Sequence, residues 1–474
     1  MDLISRTDRQ PTRSPSPGCG MSASPAPAPS TIEATIVHKL RTHIVPFVFV
    51  LFVINFVDRI NIGFAALTMN KEWALTSQQF GLLSGIFFWG YFIFEVPSNL
   101  LLHKLGARIW IARIMVSWGV VAILTGFVRS ATQLYFLRFL LGLAEAGFVP
   151  GIYLYLTYWF PQRQLARAIS LFNSAGAVAS VVGAPISVAI LDHIHWLGLS
   201  SWRWLLILEG IPAVLGGITT FFVLPSRPMD AKFLTAEERN CLEAELAIQE
   251  GTKITHKRIT AAQAMTHPRV WHLTVLYFAW AAGQYTMIFW MPQLVKSSSS
   301  QYSNTTVGIF VMIPYIAGLV AMNFVAYRSD RTLERRYHAF VLVVIAGTSL
   351  VLLGATSTPA LVALIFWCLA AAGIYSLLSP FWSMPNEFLS GSSAAAGIAF
   401  INSVGNVGGF VGPYVMGAIN KRTGSFRGGL VLASISLFTS AILLFALRKR
   451  TVPETGAVAV TQVIPAVTPT AEDS

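Results

Sequence analysis

Long apolar segments recur along this chain and limit the folds that it can adopt. A helix needs about 20 apolar residues to cross a bilayer. The sequence predicts such segments at 44–66, 79–102, 109–128, 132–159, 166–190, 203–224, 269–295, 304–326, 338–356, 359–386, 394–419 and 427–447. These segments predict an all-α integral membrane protein with twelve transmembrane helices.

The composition excludes an ordinary soluble protein. Only 11% of the residues are charged and 54% are hydrophobic, whereas soluble proteins carry about 25% charged residues. So few charged residues could not cover the surface of a globular protein in water. The net charge of +12 does not predict nucleic-acid binding, because the basic residues cluster in a few short loops, as expected for orientation in a bilayer.

The spans fall into two groups of six, which predicts two six-helix bundles at 43–224 and 269–447. Between them, residues 225–268 hold the densest charge and are predicted to form a partly helical cytoplasmic loop. Residues 1–42 are rich in Pro, Ser and Ala and are predicted to be a disordered cytoplasmic tail, and residues 448–474 a cytoplasmic C-terminal tail. Lys and Arg are concentrated on the side of both termini, which predicts a multi-pass protein of the plasma (inner) membrane with both termini inside.

An internal repeat supports two related halves. Residues 172–176 read FNSAG in span five, and residues 401–405 read INSVG in span eleven. A glycine follows at the matching distance in each span, at Gly183 and Gly412. Parallel repeats related by an axis along the membrane normal are one transporter architecture.

Two adjacent charges, Asp58 and Arg59, interrupt an apolar stretch in span one. Ionisable groups at membrane depth cost about 2.5–3.5 kcal/mol each on insertion scales, and chains that keep them usually use them for function. Arg59 is a candidate for binding a carboxylate, since a guanidinium stays charged and can bind bidentately. The alternative is a charge-neutralising structural pair with Asp58 or with span four.

Asp58 and Glu145 are the candidates for carrying protons, because desolvation and a nearby Arg act on such carboxyls in opposite directions. The alternatives are a permanent salt bridge for Asp58, for example with Arg138, and an always-protonated buried acid for Glu145. Arg138 and Glu145 lie seven residues apart, so two helical turns place them on nearly the same face. Arg138 is predicted to be either a structural and coupling element or a direct ligand.

Four motifs, at 55–63, 95–100, 202–212 and 402–413, together resemble the major facilitator superfamily and, within it, the anion:cation symporter group. The resemblance extends over about residues 40–450. It implies the major facilitator fold and proton-coupled uptake of a small organic anion, such as a sugar acid, tartrate or an aromatic carboxylate, by alternating access. It also implies that Arg59 binds substrate and that Asp58 and Glu145 bind protons.

The resemblance further matches Tyr91, Ser379 and Trp382 to residues that line the substrate site. Asn402 is a candidate substrate contact because an amide both donates and accepts hydrogen bonds, with helix bridging as the alternative. Packing is the alternative for the aromatic residues. Two departures stand out: Phe56 replaces a frequent Tyr beside Asp58, and His103 replaces the Asp of the gating loop.

Further polar residues lie within the spans. Glu95 and Glu209 are predicted to anchor helices or form gate contacts. Gln284, Tyr285 and Trp290 in span seven are candidate gate or pocket residues.

The sequence predicts no enzyme, metal site or cofactor besides the coupling proton. It contains no P-loop, and its three Cys lack metal-ligand spacing. The expected partners are the organic anion, protons and the lipid bilayer, and the chain is expected to be monomeric. An exchanger or exporter of the same fold and a membrane sensor without transport are the alternatives.

Overall fold

The computed structural model describes residues 31–254, 261–299, 301–332, 335–355, 359–382, 384–385, 389 and 391–447. Within these residues the regular secondary structure is helical throughout. The α-helices are α1 Thr31–His43, α2 Val45–Glu72, α3 Ser77–Leu105, α4 Ala107–Thr125, α5 Ala131–Glu145, α6 Phe148–Thr157, α7 Gln162–His193, α8 Ser201–Val223, α9 Ala236–Ile254, α10 Ala261–Thr266, α11 Pro268–Ser298, α12 Asn304–Thr332, α13 Arg335–Ala355, α14 Ala360–Ser376, α15 Leu378–Phe381, α16 Gly391–Asn406, α17 Gly408–Thr423 and α18 Arg427–Ala446.

The predicted all-α membrane fold is confirmed. Among the described residues, nine helical stretches are long and apolar enough to cross a membrane, and Ala360–Ser376 is apolar but shorter. The remaining predicted spans coincide with α11 and with the pair α16 and α17. The total of twelve crossings stays a prediction.

The N-terminal region differs from the predicted tail, because residues 31–43 form helix α1. Ile36 and Leu40, four residues apart, are both buried, and Lys39 binds the Glu238 carboxylate of α9 at 2.8 Å. Burial acts to raise the pKa of Glu238, but the hydrogen bonds from Lys39 and Thr235 outweigh it, so the pKa lies below its usual value. Residues 1–30 and 448–474 lie outside the described residues.

Close helix packing sets the position of span four, which comprises α5 and α6. A Cβ at Gly142 would overlap the carbonyl oxygen of Phe87 on α3, so only a glycine lets these two backbones approach so closely. Gly147 has a φ of 86°, in the region that favours glycine, and it separates α5 from α6. Glu145 is therefore the last residue of α5, beside a break in the span.

Polar contacts join the two halves at one end of the bundle. We call the end where α2 and α4 begin the near end and the end where α3 and α5 begin the far end. At the far end, Asp192 accepts hydrogen bonds from Asn304 at 2.8 Å and from the Thr305 backbone at 3.0 Å. Asn70 also donates to Gln293 at 3.2 Å, so polar contacts hold the far ends of the halves together.

Candidate functional site

Arg59 of α2 and Glu145 of α5 form an ion pair inside the bundle. Arg59 donates from Nη2 to Glu145 Oε1, and the two side chains are only 6% and 1% exposed. Charges attract each other more strongly away from water, but each costs free energy to bury, so such a pair needs both partners. The sequence offered Asp58 or a residue of span four as a structural partner for Arg59. In the structure the partner is Glu145 of span four.

Arg59 also contacts the second half of the molecule. Its Nη1 donates to the hydroxyl of Tyr285 on α11 at 3.1 Å. Its guanidinium carbon lies 5.3 Å from the ring centroids of both Phe87 and Tyr91 on α3, within the range of a cation–π interaction. Its Nε has no hydrogen-bond partner among the described residues. Arg59 thus lies between the halves, with Tyr91 beside it and one donor unused.

Asp58 faces away from Arg59, because successive residues of an α-helix point about 100° apart. Its carboxylate accepts hydrogen bonds from Trp118 Nε1 at 2.6 Å and from Asn61 Nδ2 at 3.4 Å. The side chain is buried, and in the described part of the chain it makes no salt bridge. The alternative of a permanent Asp58–Arg138 salt bridge is therefore not what the structure shows.

A second buried acid, Glu209 of α8, lies near Asp58. It accepts a hydrogen bond from Ser187 at 2.8 Å, while its Oε2 lacks a partner among the described residues. Asn61, which donates to Asp58, is close enough to Glu209 to affect its carboxyl group as well. Asn61 is not among the residues predicted for the site, although its position three residues after Asp58 puts it on the same helix face.

Arg138 is a second buried cation on α5, close to the ion pair. Its guanidinium carbon lies 5.7 Å from the ring centroid of Phe87. Its Nε and Nη2 have no hydrogen-bond partner in the described structure. The structure thus buries Asp58, Arg59, Arg138 and Glu145 together in the interior of the first half.

Asn402 forms a polar bridge between the halves. It donates from Nδ2 to Glu95 Oε1 at 2.6 Å and accepts from Asn406 at 3.1 Å. Glu95 lies one turn along α3 from Tyr91, so the bridge is near the Arg59 site. In this structure Asn402 bridges helices, as the alternative interpretation of this residue predicted. The role of Asn402 as a substrate contact stays a prediction.

Trp382 belongs to an aromatic cluster below this site, on the near side. Its ring centroid lies 5.1 Å from that of Tyr277 on α11 and 6.4 Å from that of Tyr153 on α6. Tyr153 in turn donates to Asn173 at 2.7 Å. Ser379 lies in the short helix α15, and the side chains of Ser379 and His103 are outside the described residues.

The described residues contain no group of three or more His, Cys, Asp or Glu side chains that could bind a metal ion. The buried polar groups of the site instead include carboxyls, guanidiniums, amides and phenols. Such a set can bind an anion and can hold protons at carboxyl oxygens.

Comparison with known proteins agrees with this architecture. The Major Facilitator Superfamily model matches residues 48–413. A "Putative tartrate transporter" of Agrobacterium vitis is 46% identical over 412 residues, which cover 87% of this chain and 91% of that protein. The "Putative metabolite transport protein NicT" of Pseudomonas putida is 38% identical, with coverage of 86% and 93%.

Solved structures share the fold. The xylose transporter XylE from E. coli, in a partially occluded inward-open conformation, aligns with a TM-score of 0.69 and 13% identity over 89% of this chain and 99% of that one. An inward-facing bacterial homologue of the human lysosomal transporter Spinster aligns with a TM-score of 0.67 and 17% identity, over 88% and 97% of the respective chains. With the family match over most of its length and a buried charge site between two helical halves, this chain belongs to the major facilitator superfamily.

Proposed function

We propose that this transporter moves a small organic anion into the cell together with protons, by alternating access. The observation that carries the proposal is the buried Arg59–Glu145 pair, which lies next to the second half through Tyr285. A carboxylate that enters the site meets a cation already bound to an internal carboxylate. Substrate and Glu145 therefore compete for one guanidinium.

This competition links substrate binding to protonation. When Glu145 takes up a proton, it loses its charge and binds Arg59 more weakly. A substrate carboxylate can then replace it and form bidentate hydrogen bonds with Arg59. When the substrate leaves, an ionised Glu145 restores the pair and avoids an uncompensated buried cation. Arg59 is then neutralised in both states, which favours conformational change with either substrate and proton or neither.

Asp58 is proposed as a second proton carrier. Its carboxylate has neutral hydrogen-bond donors, Trp118 and Asn61, and points away from Arg59. It can therefore change protonation without competing for the substrate's cation. Arg138, buried with two unpartnered nitrogens, adds positive charge beside both acids and is proposed to couple them.

The substrate class is proposed to be a carboxylate that also carries hydroxyl or other polar groups. One relative is described as a putative tartrate transporter at 46% identity, and a second with that description is 45% identical. Tyr91 lies beside Arg59 and would contact the bound anion. Ser379, Trp382 and Asn402 are proposed to contact the rest of the ligand once the near side opens.

Alternating access would require the near-end contacts to separate. The Asn402–Glu95 bond and the Tyr153–Trp382 contact join the halves on that side, and breaking them would free the Asn402 amide. The positive-inside rule assigns the near end to the cytoplasm of the plasma (inner) membrane. Release of substrate to the cytoplasm would therefore follow loss of these two contacts.

Proteoliposomes provide the test. With a pH gradient that is acidic outside, labelled tartrate or a sugar acid is expected to accumulate, and collapsing the gradient with a protonophore should abolish accumulation. Arg59→Ala should abolish binding, whereas Arg129→Ala, which removes an exposed Arg at the far end, should not. Accumulation that needs unlabelled anion inside and ignores the gradient would show exchange and refute the symport proposal.

A further inference from the structure

A groove on the outside of the bundle contains a cation that the transport site does not use. It runs between α4 and α8 at the near end and has a volume of about 430 Å³. Its lining is apolar apart from Arg113, and includes Ile109, Val116, Ile218 and Phe222. Ile109, Ile218 and Phe222 are 52%, 47% and 73% exposed, so this face is directed toward the membrane.

Arg113 lacks an anionic partner within the described protein. Its guanidinium carbon lies 3.8 Å from the ring centroid of Trp110, and its one hydrogen bond, from Nη1 to Ser117, is long at 3.5 Å. The Nε and Nη2 atoms are buried and have no hydrogen-bond partner among the described residues. A charged group with unsatisfied donors at membrane depth is unfavourable unless it finds an anion.

A second arginine lies at the near-end mouth of the same groove. Arg108 donates from Nε to the carbonyl oxygen of Phe221, and its guanidinium carbon lies 5.1 Å from the Phe221 ring centroid. Arg113 is six residues into α4, about 9 Å from its start, and its guanidinium lies over Trp110, one turn nearer that start. Two guanidiniums therefore lie on the near-end side of an apolar groove, where long cationic side chains can reach a lipid headgroup while their stems cover apolar surface.

We propose that this groove binds an anionic phospholipid of the near-end leaflet. The phosphate would accept hydrogen bonds from the Arg113 guanidinium once this side chain, whose Nε and Nη2 have no partner among the described residues, turns toward the groove that it lines, with Arg108 supplying a second positive charge. An acyl chain would lie along Ile109, Ile218 and Phe222. A lipid would both pair with the two guanidiniums and cover the apolar surface of the groove, whereas a soluble anion would leave that apolar surface uncovered.

Lipid binding is tested by native mass spectrometry of the full chain in detergent, titrated with phosphatidylglycerol or with phosphatidylcholine of the same acyl chains. The parent is expected to bind phosphatidylglycerol preferentially. Arg113→Gln should weaken this binding about tenfold or more, because it removes charge-assisted hydrogen bonds. Arg129→Gln removes an exposed Arg at the far end and should leave binding unchanged.

A second variant keeps the test decisive if Arg113→Gln does not fold. Ile218→Trp retains both arginines but fills the groove, and it is expected to reduce bound phosphatidylglycerol as well. Equal binding of the two lipids, or equal retention by Arg113→Gln and Arg129→Gln, would overturn the proposal. Soluble glycerol phosphate that competes as well as the lipid would show an anion site without lipid recognition and would also overturn it.

Discussion

Replacing Glu145 by Gln tests whether one carboxylate links substrate to proton. Gln keeps the side-chain length and an oxygen that can accept from Arg59, but it cannot ionise. On the proposed mechanism, the substrate must displace a charged partner, the ionised Glu145, from Arg59 in the parent. In Glu145→Gln, only a neutral amide is displaced, and no proton is needed to release the guanidinium.

The expected magnitude follows from the contacts of Arg59. A hydrogen bond to a charged group contributes about 1.5–3 kcal/mol, against about 0.5–1.5 kcal/mol for a neutral one. The difference of about 1 kcal/mol corresponds to a roughly fivefold weaker hold on Arg59, so the variant should bind substrate at least that much more tightly at pH values where Glu145 of the parent is ionised. Linkage of one proton also makes the parent's Kd rise about tenfold per pH unit in that range, and the variant should lose this one-proton slope.

Substrate affinity is measured by binding of labelled anion to purified protein between about pH 6 and 8.5, where simple carboxylates are ionised. Glu72→Gln is the matched control, because Glu72 accepts a hydrogen bond from Trp202 at 2.7 Å at the far end, outside the site. It should keep the parent's slope. A Glu145→Gln protein whose Kd changes with pH as steeply as the parent's would refute the competition between Glu145 and substrate.

Three further variants test the site and its surroundings. Asp58→Asn is expected to lower by one the protons moved per anion, measured from the reversal potential of uptake in proteoliposomes; an unchanged ratio would contradict the second carrier. Tyr285→Phe removes the 3.1 Å hydrogen bond to Arg59 and should weaken anion binding about threefold to tenfold; an unchanged Kd would show that the second half does not support the site. The Lys39–Glu238 pair lowers the pKa of Glu238, so its stabilisation is present above the ordinary pKa of Glu and is lost as pH falls through the lowered value. Lys39→Gln should reduce stability by at most about 1 kcal/mol near neutral pH and less in acid, and an equal loss of Tm at both pH values would disprove that coupling.

Some local features were predictable only in outline. Span ten is interrupted near Leu377, three residues before Pro380, which itself lies within α15. A proline removes a backbone donor, but where the helix bends depends on its packed neighbours. Helix α1 was likewise missed, because it depends on burial of Ile36 and on the contact of Lys39 with a helix about 200 residues away.

The sequence also does not reveal which group each buried charged side chain contacts. Helix geometry alone separates the directions of Asp58 and Arg59. It does not say that Asp58 meets Trp118, 60 residues on, or that Arg59 meets Glu145, 86 residues on. Asn402 shows the same limit, since an amide suited to a ligand is equally suited to the Glu95 carboxyl that packing brings to it.

The sequence by itself determined the helical membrane fold and the depth of the buried charges, because a bilayer requires long apolar helices and leaves few positions for ions. It also placed Arg138 and Glu145 on one face through the helical repeat. Only the tertiary structure decided that Arg59 is neutralised by Glu145 and contacts the second half through Tyr285, while Arg113 has no anionic partner among the described residues. These outcomes depend on distances between helices, which are set by side-chain packing and close glycine contacts, and not by the order of residues along any one span.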